Sequence, residues 1–208
     1  MSREESAGRA CAVSGSGKRP PVAEKILATA GALFARDGVR AVGVDTIIAE
    51  SGVAKMSLYR NFPSKDALVA AWLEERDRAF WRRWDAAEAA AIGDARARLE
   101  AILDMVAAKV VDPAWQGCPF LNTHVAFPGE PLPSVAVILA HKQQVHDRLT
   151  ALAESAGVRA PSRLADQLQM LIDGAYVIAQ SLGPDGPART IADAGRALIA
   201  AGLGTASG

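Results

Sequence analysis

Residues 44–68 read VDTIIAESGVAKMSLYRNFPSKDAL. They place a short amphipathic helix, a glycine turn, a second short helix and the opening of a third within one compact stretch. Val44, Ile47 and Ile48 fall at i, i+3 and i+4, which predicts a helix from about Val44 to Ser51 with one stripe facing a small core. Gly52 follows at the point where a left-handed residue ends a helix sharply, and Val53 is apolar enough to plug the space between two helices. In the next two turns Leu58 and Phe62 lie four apart and point inward. Lys55, Met56, Ser57, Tyr59, Arg60 and Asn61 are left on the outer side, a cationic, aromatic and hydrogen-bonding set. Pro63 and Ser64 stop this helix and start another, with Ser64 as N-cap and Asp66 in its first turn.

This is the pattern of a helix-turn-helix whose second helix, Lys55 to Asn61, enters the major groove of double-stranded DNA. The run Gly52, Val53, Leu58, Tyr59, Phe62, Ser64, Lys65 resembles the DNA-binding domain of the tetracycline-repressor (TetR) family. The detailed resemblance spans about residues 21–75, including a first helix with Ile26, Leu27, Ala30, Leu33 and Phe34 that closes at Asp37-Gly38. Two hydroxyls common in that family are missing here. Gly43 precedes the second helix and Ala54 opens the recognition helix, so phosphate contacts made by such hydroxyls have no donor at these positions. Met56 stands where a small residue is frequent and is suited to apolar contact with a thymine methyl.

The expected DNA contacts are therefore Lys55, Met56, Ser57, Tyr59, Arg60, Asn61 and Lys65. Lys55, Ser57 and Arg60 supply donors to bases or phosphates, and Tyr59 and Asn61 supply donors to the backbone. Lys65 sits at a helix N-terminus, which suits a phosphate.

Through Asp66 the chain carries 10 basic and 7 acidic residues, and beyond it 13 basic and 16 acidic. The overall charge of zero thus divides into a basic front and an acidic rear, as expected of a DNA-facing head on an acidic body. Residues 1–19 are expected to be a disordered tail, 20–66 the helix-turn-helix domain, 67–202 a helical effector-binding and dimerisation domain, and 203–208 a second disordered tail. Lys18 and Arg19, beside the first helix, suit either a solvated tail or an arm in the minor groove. Two cysteines, Cys11 and Cys118, make no disulfide framework and agree with a reducing cytoplasm. No apolar run reaches the roughly 18 residues of a membrane span.

The whole body reads as helix, giving an all-α fold. Ser64 to about Ala91 is one long helix with Leu68, Trp72, Phe80 and Trp84 on four-residue spacing, shared by head and body. Asp94 caps a helix running to about Val111, and a short helix near Phe120 to Val125 lies in the irregular stretch from Trp115 to Pro133. Ser134 is expected to cap a helix to about Ser155. Pro161-Ser162 opens another to about Leu182, and the last runs from about Ala188 to Ala201. The resemblance implies that the helices at about 134–155 and 162–182 form a four-helix dimer interface, and the roughly 1 kcal/mol that Gly174 costs within the second helix points to a close helix crossing there.

An unknown small-molecule effector is expected among Trp84, Met105, Trp115, Phe120, Asn122, His124, Phe127 and Tyr176, with Trp81 nearby. The same aromatics also suit ordinary core. Cys118 reads either as a redox or electrophile sensor or as a buried, inert thiol. His141 and His146 are five apart and His124 stands alone, so no metal site or cofactor is expected. No nucleophile elbow, phosphate loop or paired-histidine motif accompanies the Ser, His and Asp residues, so no catalytic residues are assigned. The resemblance implies a homodimeric, ligand-released repressor on a palindromic operator. The alternatives are a sensor acting through Cys118, or a helical enzyme or scaffold carrying such a head.

Overall fold

In a computed structural model the described residues are 19–204, all helical or in connections. The expectations placed on Cys11, Lys18 and the outer ends of both tails lie outside them. The order is α1 (Pro21–Asp37), α2 (Val44–Ser51), α3 (Lys55–Asn61), α4 (Lys65–Ala90), α5 (Ala95–Val110), α6 (Pro119–Ala126), α7 (Pro133–Ser155), α8 (Pro161–Leu182), a 3-10 turn (Pro187–Thr190) and α9 (Ile191–Leu203).

The head is small because its core is small. Ile26, Ala30, Leu33 and Phe34 of α1, Ile47 of α2, Leu58 of α3, Phe62 and Leu68 are all buried together. Gly52 takes φ 63°, ψ 22°, the left-handed geometry that turns α2 into α3. Neither Gly43 nor Ala54 makes a side-chain cap, whereas Ser64 accepts from the Ala67 amide at 3.0 Å and Asp94 from the Ala97 amide at 3.1 Å.

Head and body meet along α1 and α4. Trp72 of α4 packs edge-on to Phe34, with centroids 5.5 Å apart. Gly31 makes this possible, since a Cβ there would lie 2.8 Å from the Trp72 ring. In the body α4 packs against α7 and α5, α7 against α8, and α9 against α5 and α8.

Three polar links join α4 to α7 along their length, and their order shows that the two helices run in the same direction. Asp66 accepts from the Ser134 hydroxyl at 2.5 Å and the Ser134 amide at 3.2 Å; Asp77 meets His141 at 2.7 Å; Arg148 reaches Asp85 and Glu88, each at 2.6 Å. The first link corrects the expected cap. Pro133 begins α7 after Leu132, and Ser134, one residue into the helix, is fully buried and turned to Asp66. The carboxylate of one helix thus serves the N-terminus of another. At the other end, the expected last helix divides into the 3-10 turn and α9, and α9 reaches Leu203, one residue into the stretch expected as tail.

Candidate nucleic-acid interface and effector site

The outer side of α3 presents Lys55, Met56, Tyr59 and Arg60 to solvent, Met56 at 72 % exposure. Lys55 makes a solvent-exposed ion pair with Asp45 at 3.3 Å, an interaction weak enough for a phosphate to replace. Ser57 and Asn61 are half-buried, and the Asn61 amide donates to the Ser57 carbonyl at 2.8 Å. Lys65 is half-buried, its ammonium 3.5 Å from the Arg40 carbonyl, and burial lowers its pKa. The seven expected contacts therefore fall into an outer group of four and three residues with intrachain partners or partial burial.

Between head and body lies a cavity of about 1150 Å³. Phe34 to Ala41 close it on the head side, α4 gives one wall, and α5, α6, α7 and α8 give the rest with the Asp112–Cys118 connection. Five of the expected effector residues line it: Trp84, Trp115, Phe120, Asn122 and Tyr176. Met105, His124 and Phe127 do not, nor does Trp81. On α6 the inward positions are Phe120 and Thr123, three apart and both buried, which leaves His124 exposed on the outer side. Met105 is half-buried against the core while its neighbour Val106 reaches the wall, and Phe127 follows the last turn of α6, packed on the core.

Phe80, Thr123, His141, Arg76 and Arg83 also line the site; periodicity on α4 is a sequence signal for Phe80 and the two arginines, and Thr123 and His141 have none. His141 is 5 % exposed, stacked on Phe120 with centroids 3.8 Å apart and edge-on to Phe80 at 4.8 Å. Its Nδ1 faces Asp77 of α4, so one ring touches the cavity wall and the long helix together. Burial lowers the His141 pKa from its ordinary 6.5, and Lys142 adds to this; Asp77, and to a lesser degree Asp173, pull it up, but burial wins. A base with a depressed folded pKa leaves the unfolded chain holding more protons at acid pH. Stability is therefore kept above 6.5 and lost as pH falls through it. Thermal unfolding across that range should show a loss of up to about 1.4 kcal/mol per pH unit below 6.5 that the His141→Gln variant lacks. An identical profile in both proteins would refute the assignment.

Cys118 is 5 % exposed, and burial raises its thiol pKa above the ordinary value. That is the environment of an inert thiol. In a Cys11→Ser background, iodoacetamide should label native Cys118 at least about ten-fold more slowly than the unfolded chain, because burial limits both access and the thiolate fraction. Labelling at the unfolded rate would restore the sensor reading. Among the described residues no cluster of three metal-ligating side chains occurs, and no helix is long and apolar enough to cross a membrane.

One face of α8 is apolar and uncovered within the subunit. Met170 is 71 % exposed and Leu182 64 %, with Val177 and Ile178 between them. Gly174 lies on the same face, and no atom comes within 4 Å of where a Cβ on it would stand, so the close crossing expected there is not made within one chain.

Residues 26–72 match the family described as bacterial regulatory proteins, tetR family. A TetR-family transcriptional regulator of Streptomyces coelicolor is similar over 89% of this chain and 92% of its own, at 28% identity and a TM-score of 0.84. A TetR-type transcriptional regulator of Streptomyces avermitilis is 31% identical over 88% of this chain and 98% of its own, with a TM-score of 0.78. The reduced form of E. coli NemR shares the fold at 21% identity, covering 89% of this chain and 98% of its own with a TM-score of 0.72. No curated protein matches the sequence.

Proposed function

The chain belongs to the TetR family of DNA-binding transcriptional regulators, and from that premise we propose that it is a homodimeric repressor released from a palindromic operator by a small molecule bound in the cavity. One observation carries the release step. The helix that begins three residues after α3 ends, α4, also forms a wall of the cavity through Trp72, Phe80 and Trp84. A ligand that favours one placement of this wall favours one placement of the recognition helix, and the two equilibria are linked. Asp77 with His141, and Asp66 with Ser134, tie that wall to α7. Two heads are needed because one α3 spans too few base pairs for useful affinity, and half-sites must match the separation of the heads.

The homodimer reading rests on the uncovered face of α8, continued by Leu139 of α7 at 59 % exposure. DNA contact is assigned to Lys55, Met56, Tyr59 and Arg60 as the outer group, with Ser57, Asn61 and Lys65 joining once their partial burial or intrachain partners yield.

The test is fluorescence anisotropy of a labelled operator duplex at fixed protein, while compounds are screened in parallel for quenching of tryptophan emission. Compounds that quench should also lower DNA affinity, and two subunits should bind per duplex. Saturating compounds that quench through the cavity and leave anisotropy unchanged would contradict release by an effector.

A further inference from the structure

The geometry points to a planar aromatic acid as the effector, its rings among the aromatic walls and its anionic group at Arg76 or Arg83 of α4. This rests on the cavity being the effector site. The charges of the lining are unevenly matched. Three carboxylates line the cavity, and each already has a cation from the same lining: Asp37 with Arg36 at 2.7 Å, Asp112 with Lys109 at 2.6 Å, and Asp173 with Lys142. Arg40 donates to the Ala126 carbonyl at 2.9 Å. Arg76, whose guanidinium lies 6.0 Å from the Trp72 ring centroid, and Arg83 remain; both are exposed at the rim of the lining, and neither has a carboxylate partner among the described residues. They are seven apart, two turns of one helix, so their Cα atoms stand about 10 Å apart along the axis and a single carboxylate is met by one of them at a time. Arginine presents a planar fork that carboxylates match with two hydrogen bonds.

Two polar atoms of the wall are also unpartnered. Trp115 Nε1 and Thr123 Oγ1 belong to the lining, are buried, and have no hydrogen-bond partner. Thr123 is fully buried, so its hydroxyl lacks solvent as well. An indole N–H only donates and a hydroxyl can donate, so an acceptor-bearing ligand pairs either atom where the wall yields to admit it. Leaving such atoms unpaired is costly, and a ligand that pairs them recovers that cost on binding.

The shape of the space favours a flat ligand. Trp115 and Tyr176 lie 5.2 Å apart, and Phe120 stacks on His141, so aromatic rings packed on one another form part of the wall. At about 1150 Å³ it takes a ligand of several fused rings.

The test uses three probes with one ring system, 1-pyrenecarboxylate, 1-pyrenemethanol and 1-pyrenemethylamine, titrated into the full chain by tryptophan quenching. The acid should bind on the order of 10-fold tighter than the alcohol, as charge-assisted pairing implies, and the amine weakest. In an Arg76→Gln, Arg83→Gln variant the acid's advantage should vanish, while Arg82→Gln, outside the lining, should keep it. Trp115→Phe should weaken the acid and keep the stacking surface. Equal or tighter binding of the alcohol or amine would overturn the acid assignment, as would an acid preference that survives loss of both arginines or absence of binding by all three probes. If the acid binds with the expected preference but operator affinity does not change, the ligand class stands and the regulatory reading of the cavity fails instead.

Discussion

Met170→Glu combined with Ile178→Glu should convert the protein from dimer to monomer at micromolar concentration and abolish specific operator binding. Both side chains stand on the face of α8 left uncovered in the subunit, at 71 % and 37 % exposure, and neither lines the cavity. As single-chain substitutions they are mild, because an exposed carboxylate on an exposed helix face costs little. Across a dimer seam they bury four unpaired carboxylates around the axis, each worth several kcal/mol unless it protonates. The dimer dissociation constant should rise by at least about 1000-fold on that arithmetic. Sedimentation should then show one species near the 21.7 kDa of a single chain, with unchanged helical circular dichroism. Specific binding would fall to the roughly 10⁻⁴ to 10⁻⁶ M of non-specific contact. A variant that remains dimeric would show that the interface lies elsewhere, and Leu139 and Leu182 would lose their proposed role with it.

Arg60→Ala should produce the second large loss. Arg60 is exposed near the C-terminal end of α3 and has no ion-pair partner among the described residues, so its guanidinium is available to guanine or phosphate. A good bidentate base contact is worth about 1–3 kcal/mol, and a dimer on an inverted repeat makes it twice. The combined effect is about 2–6 kcal/mol, or roughly 30-fold to 10⁴-fold in affinity. If Arg60 reads a base, the loss should be confined to the operator and the preference at one position per half-site should relax. If it holds phosphate, affinity for all duplexes should fall together and the salt slope should flatten. Unchanged affinity in gel-shift titration would remove Arg60 from the interface.

Much of the head is written locally. Gly52, Leu58, Phe62 and Ser64 act through neighbours within a few residues, and each takes the conformation or burial its spacing predicts. The cavity is different because its wall is assembled from α1, α4, α5, α6, α7, α8 and the connections between them. Aromatic character singles out Trp84, Trp115, Phe120 and Tyr176, but charge alone does not separate Arg83, which lines the cavity, from Arg82, which does not. Periodicity on α4 is the signal that could separate them, since Trp72, Arg76, Phe80, Arg83 and Trp84 share a side. In the sequence His141 is weighed only for a metal site, which its spacing excludes, because its partner Asp77 is 64 residues away. Ser134 looks like a local cap for the same reason, while its partner Asp66 belongs to another helix 68 residues away. A short helix such as α6 carries too few turns for its inward face to be legible, so the sequence favours His124 where the fold uses Thr123.

The fold and the family are established, and the proposed repressor depends above all on two α3 helices reading one duplex. Selection of bound duplexes from a random library with the purified full chain, followed by salt titration of the enriched sequence, tests this most directly. The expected result is an inverted repeat whose half-sites are one helical turn or a fixed multiple apart, and affinity that falls steeply with salt. Enrichment of a single unrepeated site, or binding blind to sequence, would contradict it.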